Sequence, residues 1–131
     1  SDEENAGFSA GKPWLKVNPN YSSINVKAQL SDENSVLQFY KKLVAIRKDP
    51  AYKETVVYGI LEPVWEEKHN LMAYYRKGDK TLLVVGNYQR GEQEITLETA
   101  YRKVLLNNYE DIVQDKGTIR LQGYQVLILE M

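Results

Sequence analysis

Apolar positions along this chain fall into three regimes. Over residues 1–30 they follow no period: the stretch NAGFSAGKPWLKVNPNY (Asn5 to Tyr21) sets Phe8, Trp14, Leu15 and Val17 among two glycines, two prolines and three asparagines. Glycine and proline punctuate it too often for a long helix or a central strand, so residues 1–30 read as an extended arm. A solvated linker would be Ser, Gly and charge, and the apolar residues therefore predict that the arm packs against something. The second regime is helical. Ser31 or Asp32 supplies an N-cap, and Val36, Leu37, Tyr40, Leu43, Val44 and Arg47 recur at three- and four-residue spacing, which predicts a helix over about 32–48. Asp32 and Glu33 at its start and Lys41, Lys42, Arg47 and Lys48 later suit the helix dipole, and Asp49-Pro50 ends it. Phe39 and Ile46 lie off the main stripe, so more than one side of this helix requires cover.

From Thr55 onward the runs TVVYGI, NLMAYYR, KTLLVVGNY, EITLE, RKVLLNN, TIRL and QVLILEM have the length and the β-branched or aromatic content of strands. RKGDK (Arg76 to Lys80) reads as a hairpin turn, and QRGEQ, QDKGT and LQGYQ mark others. Short strands in succession without intervening helices predict a mainly β fold: an antiparallel, Greek-key-like sandwich or barrel-like sheet pair, preceded by the arm and one α-helix.

Composition leaves this picture in place. A chain of 131 residues with 43% hydrophobic and 27% charged residues is large enough for a sizeable core. Seventeen basic against eighteen acidic residues argue against a nucleic acid or an anionic membrane surface as partner. There is no cysteine, hence no disulfide or thiolate metal site, and no run of eighteen apolar residues. Because the chain opens at Ser1 inside a polar stretch, it reads as an excised piece of a longer protein.

Candidates for chemistry are few. His69 is the only histidine and sits in the charged turn EEKHN, without a second histidine for a metal site. Glu66 and Glu67 are adjacent and would splay apart rather than form an acid and base pair. Asp2, Glu3 and Glu4 read as a solvated terminus. GFSAGK has the wrong spacing for a phosphate loop and Pro13 where Ser or Thr is required. Tyr74, Tyr75 and Tyr88 could stack on sugars, although alternation sends Tyr74 and Tyr75 to opposite faces and ordinary sheet packing explains both. No residue is assigned to a metal or a cofactor.

The arm from Asn5 to Tyr21, the helix SVLQFYKKLVAIRK (Ser35 to Lys48) and the sandwich beginning at VVYG together resemble the C-terminal end of bacterial α-glucosidases of the α-amylase family, in the group of oligo-1,6-glucosidases, dextran glucosidases and trehalose-6-phosphate hydrolases. In that family NAGF is followed by a Gly, then PW, VNP and Tyr, and all stand here in that order. The resemblance implies a (β/α)8 barrel with catalytic residues at the ends of its strands, followed by an all-β domain. Residues 1–53 would be a remnant of the barrel, its last loop and last helix, and residues 54–131 the C-terminal sandwich. Phe8, Trp14, Leu15 and Val17 would pack on barrel surface.

What else follows by resemblance is an enzyme hydrolysing α-glucosidic bonds, α-1,6 bonds in short oligosaccharides above all, by a retaining mechanism in the cytoplasm. Its two carboxylates, about 5 to 5.5 Å apart in such enzymes, would come from earlier barrel strands, so no residue here inherits a catalytic role and this piece alone is expected to be inactive and structural. Asn5 and Phe8 would contribute to outer substrate subsites. Partners would be the barrel of the same parent chain and its oligosaccharide substrate, with self-association through the exposed helix face also expected. One departure is Gly123-Tyr124-Gln125, where relatives often have a Pro-Tyr-Glu-like turn. Two other classes stay open: a stand-alone carbohydrate-binding module using exposed tyrosines, and a plain interaction domain.

Overall fold

A computed structural model describes all of residues 1–131, which divide into two compact units, Ser1–Lys42 and Leu43–Met131. In the first unit, a 3-10 turn at Glu4–Gly7 is followed by irregular chain and then by a five-residue helix, α1 (Val26–Leu30). The expectation of an extended arm and a single helix is corrected here. Asn25 caps α1 by accepting from Ala28 N at 2.9 Å, which suffices for one turn too short to show a period.

The long helix, α2 (Val36–Lys48), begins four residues later than the predicted start. Asp32 instead closes a local turn by accepting from Asn34 N. Ser35 is the functional cap: its Oγ accepts from Gln38 N, and the Gln29 side chain accepts from Leu37 N at 2.9 Å. Two of the four orphan donors of the helix start are thereby satisfied. Along its length no residue of α2 is buried, and Val36, Tyr40 and Val44 form an exposed stripe at i, i+4, i+8.

The second unit corrects one strand. Residues of TVVYGI form a helix, α3 (Lys53–Tyr58), and only Ile60 of that run enters the short strand β1 (Ile60–Pro63). The β-branched composition misleads because carbonyls at the C-terminal end of α3 are met by an arginine distant in sequence, beside the local closure by Gly59. Arg76 Nη2 donates to Val56 O at 3.0 Å and Val57 O at 3.4 Å, and Gly59 N donates to Glu54 O and Thr55 O.

Seven more strands follow: β2 (Leu71–Lys77), β3 (Thr81–Asn87), β4 (Gln93–Thr96), β5 (Lys103–Asn107), β6 (Val113–Asp115), β7 (Thr118–Leu121) and β8 (Val126–Glu130). They build one sheet in the order β1-β2-β3-β8-β5 and another in the order β4-β7-β6, every pairing antiparallel. With β8 between β3 and β5, and β7 between β4 and β6, the connections cross in the Greek-key manner. This is the expected mainly β sandwich. The RKGDK turn joins β2 to β3, and QDKGT joins β6 to β7 with Lys116 and Gly117 both at positive φ, as a tight hairpin requires.

Leu83, Val85, Leu127 and Leu129 of the first sheet meet Ile95, Ile119 and Leu121 of the second in one core, all seven at 0% exposure. Alternation turns Leu82, Ile128 and Glu130 to the other face of the first sheet, where they are also buried. The β2–β3 turn presses closely on α3: a Cβ on Gly78 would come within 2.9 Å of Thr55 Cα, and one on Gly59 would overlap Thr55 O. Gly59→Ala is therefore expected to destabilise the fold by about 1–3 kcal/mol. Gly91→Ala, where an added Cβ meets nothing within 4 Å, should leave the urea midpoint nearly unchanged, and comparison of the two unfolding curves checks this.

Candidate functional site

Groups that do chemistry are dispersed. His69, Glu66 and Glu67 are all exposed around the turns before β2, and no cluster of three His, Cys, Asp or Glu side chains could hold a metal ion. Asp2 pairs with Lys27 at 2.9 Å, both more than half exposed, so the acidic terminus is partly engaged rather than wholly free. Tyr74 and Tyr75 are half-buried, whereas Tyr88 is exposed.

Asn5 and Phe8 share the strained turn at the start of the arm. Asn5 and Ala6 have φ of 53° and 59°, followed by Gly7 at 75°. Asn tolerates the left-handed region, and here its amide also stabilises it: Nδ2 donates to Ser9 O at 3.0 Å and Gly11 O at 3.2 Å. Asn5 is thus the pin of the loop, with both amide donor bonds spent internally. The pinned turn leaves Phe8 90% exposed, near Trp14 in sequence and equally open at 92%. Asn5, Phe8, Trp14, Asn18 and Tyr21 are among the residues lining a broad groove of about 950 Å3 within the first unit. Lys12, Lys16, Ser9 and Tyr21 also line it, but no carboxylate does, so the groove offers apolar contact area and scattered polar groups rather than a paired acid and base.

The most highly organised polar cluster lies in the second unit. Tyr52, between α2 and α3, donates its hydroxyl to Glu130 Oε2 at 2.8 Å, and Lys80 in the β2–β3 turn donates to Glu130 Oε1 at 2.7 Å. Lys80 N donates to Thr55 Oγ1 at 3.1 Å, and the ammonium groups of Lys80 and Lys103 lie 5.2 and 5.9 Å from the Tyr52 ring centre. The Lys80 and Tyr52 hydrogen bonds hold the Glu130 carboxyl below its ordinary range, and the same carboxylate pushes the Tyr52 hydroxyl up. Glu130 is 9% exposed and Tyr52 7%. Each oxygen of this carboxylate accepts from a donor that fixes the fold. It is a structural clasp.

Two family models match this chain, one after the other. Residues 1–59 match the family described as "Alpha amylase, catalytic domain", and residues 71–128 match "Alpha-amylase SusG C-terminal domain". The chain belongs to the α-amylase family. Over 99% of its length it is 37% identical to an oligo-1,6-glucosidase of Parageobacillus thermoglucosidasius, 24% of which is covered. The trehalose-6-phosphate hydrolase structure of Bacillus licheniformis matches 98% of this α-amylase-family chain with TM-score 0.84 and 34% identity, over 24% of that protein. A trehalulose synthase from Pseudomonas mesoacidophila MX-45 matches 99% with TM-score 0.87 and 32% identity, again over 24%. The chain thus spans about a quarter of the length of the relatives it matches.

Sequence reasoning missed the clasp, because Tyr52, Lys80 and Glu130 are separated by 25 or more positions and none belongs to a motif. The available signal was Glu130 itself, a lone carboxylate ending the apolar run QVLILEM. Since Glu130 titrates lower in the folded state, its contribution is present above the unfolded carboxylate pKa and lost as pH falls through the folded value. Glu130→Gln should lower the urea midpoint at pH 7, and the gap to the parent chain should close as pH falls below about 4. A gap that stayed constant down to pH 2 would contradict the ion pair.

Proposed function

We propose that this chain is the C-terminal quarter of a retaining α-glucosidase that cleaves α-1,6 bonds in short oligosaccharides, and that it serves that enzyme structurally. The observation that carries this reading is the open apolar surface of the first fifty residues. Phe8, Trp14, Leu15, Ile24, Val26, Leu30, and the α2 stripe are all 45% or more exposed, far more than a free polypeptide surface of this size ordinarily presents together. The occupant is a (β/α)8 barrel of the same polypeptide, a reading supported by the catalytic-domain match over residues 1–59. Residues 1–53 complete the barrel, and 54–131 are the sandwich that braces it.

In this reading the arm's turn stands at the rim of the substrate mouth. Asn5 shapes the turn, and Phe8 supplies an apolar face to an outer sugar ring. The paired carboxylates lie on barrel strands outside these residues. The likeness to a trehalulose synthase supports a second reading, in which the same tail serves sugar synthesis rather than hydrolysis.

The test compares the 131-residue chain with the product of the open reading frame that encodes it. The chain alone should release no glucose from isomaltose, and the longer product should. Glucose release by the 131 residues alone would overturn the structural role, and a longer product that converts sucrose while sparing isomaltose would favour synthesis. Light scattering on the chain reads the open stripe directly: concentration-dependent self-association, reversed by Val36→Lys and Val44→Lys together, is the expected behaviour of a surface lacking its cover.

A further inference from the structure

A second kind of exposed surface lies at one end of the sandwich. Tyr88 follows β3, Tyr124 precedes β8 and Tyr109 follows β5. Because Gly86 pairs with Val126 and Asn107 with Leu127, these antiparallel neighbours bring all three tyrosines to the same sheet end. They are 52%, 60% and 37% exposed. Adjacent strands are about 4.8 Å apart, so the three positions spread over roughly 10 Å, the reach of a disaccharide.

The loops that carry them are tied down rather than loose. Tyr88 donates its hydroxyl to His69 O, and Tyr109 donates to Gly123 O at 2.7 Å. Asn108 Nδ2 donates to Tyr124 O at 3.0 Å, while Tyr124 N donates to Gln89 O at 3.1 Å. Beneath them the Gln125 amide, 0% exposed, donates to Asn107 Oδ1, and Asn87, 1% exposed, donates to Gly91 O and Gln122 O. Two buried amides thus hold the loops that display the aromatic rings.

Tyr124 adds a third observation. Its φ is 60°, a left-handed conformation that disfavours a bulky residue. Glycine or asparagine would sit there without strain. A fold that needed only the turn would gain from either, so the strain is attached to the ring itself, and strained residues of this kind concentrate at binding sites.

From this geometry we infer that Tyr88, Tyr109 and Tyr124 form a surface site for an α-gluco-oligosaccharide, separate from the arm. The choice of α-glucosidic ligand rests on the proposed α-glucosidase function; the location does not. Tyr88 and Tyr109, anchored through their hydroxyls, and Tyr124, held through its backbone, offer ring faces to the C–H side of a sugar with little loss of side-chain freedom. Gln89 and Gln122 are neighbours in the same loops with uncharged side-chain amides suited to sugar hydroxyls, whereas the Asn108 amide is spent on Tyr124 O and Val126 N. In a longer enzyme such a site would hold substrate without taking part in the reaction.

The test is a 1H–15N NMR titration of the 131-residue chain with isomaltotriose, and with cellotriose as the β-linked control. Saturable shifts in the millimolar range at Tyr88, Gln89, Asn108, Tyr109 and Tyr124 are expected with isomaltotriose and not with cellotriose. Tyr88→Ala should weaken binding about tenfold, in keeping with the loss of one stacked ring. Tyr124→Gly keeps the result interpretable: by relieving the left-handed strain it should hold or raise the unfolding midpoint while weakening binding equally. Shifts confined to Asn5, Phe8 and their neighbours would overturn this site and leave the α-glucosidase reading intact. Binding at the tyrosines of cellotriose alone would overturn the α-glucosidic assignment, and no saturable shift at these amides would overturn the proposal.

Discussion

The structure turns on one buried carboxylate. Glu130 ends the interior strand β8, is almost closed to solvent, and is held by donors from two other stretches of chain. A charge removed from water is tolerated only when it is paired and hydrogen-bonded, so this glutamate sets a strict condition on its surroundings. Lys80 must keep the β2–β3 turn in place, and Tyr52 must bring the segment between α2 and α3 down onto the sheet. The reciprocal bonds between Thr55 and Lys80, together with two glycines that admit the close approach, follow from that condition. The chain leaving α2 is thereby locked to the sandwich by polar contacts, since α3 is too short to bury much apolar area of its own.

Residues 1–42 are organised by a different principle. No apolar side chain among them is buried, and Ser35 is their only buried residue. Their shape comes instead from side-chain amides and hydroxyls that mimic backbone partners: Asn5 across its turn, Asn25 at α1, and Gln29, Ser35 and Gln38 between α1 and α2. Each such bond contributes only about 1 kcal/mol net. Local polar bonds can specify a conformation, but they supply little of the hydrophobic driving force that stabilises a domain. A segment with a defined shape, open aliphatic and aromatic side chains and no core of its own is suited to be one wall of a larger core.

How legible this was in the sequence depended on the range of the interactions. The strands of the sandwich were visible because burial imposes continuous or alternating apolar runs, and KTLLVVGNY stands out because β3 is covered on both faces, burying Leu82 on one and Leu83 on the other. The hairpin turns were visible through Gly78 and Gly117. The α3 helix was not, because TVVY has strand-like composition and its helical ends depend on Arg76 and the β2–β3 turn, which tertiary structure alone brings near. The start of α2 was misplaced by four residues for a related reason: Ser31 and Ser35 are equally good caps in isolation, and Gln29 reaching from α1 decides between them. At the candidate site, the openness of Phe8 and Trp14 could be anticipated from apolar residues in an aperiodic arm, whereas the pinning role of Asn5 could not, since it depends on three successive left-handed residues.

The two exposed aromatic regions differ in chemistry, and the difference separates their roles. Phe8 has no polar atom with which to remain comfortably at a wet surface, and the Val36–Tyr40–Val44 stripe gains free energy only when water is removed from it. Tyr88 and Tyr109 already have their hydroxyls satisfied by backbone carbonyls, and Tyr124 has its backbone held on both sides. Their rings can stay exposed without any requirement for permanent cover, and a hydrated, reversibly bound molecule suits them better than a domain interface. An apolar face shaped by local polar bonds calls for a stable neighbour, while aromatic rings fixed by buried amides call for a transient one. One chain of 131 residues carries both because its two units are held together by different forces.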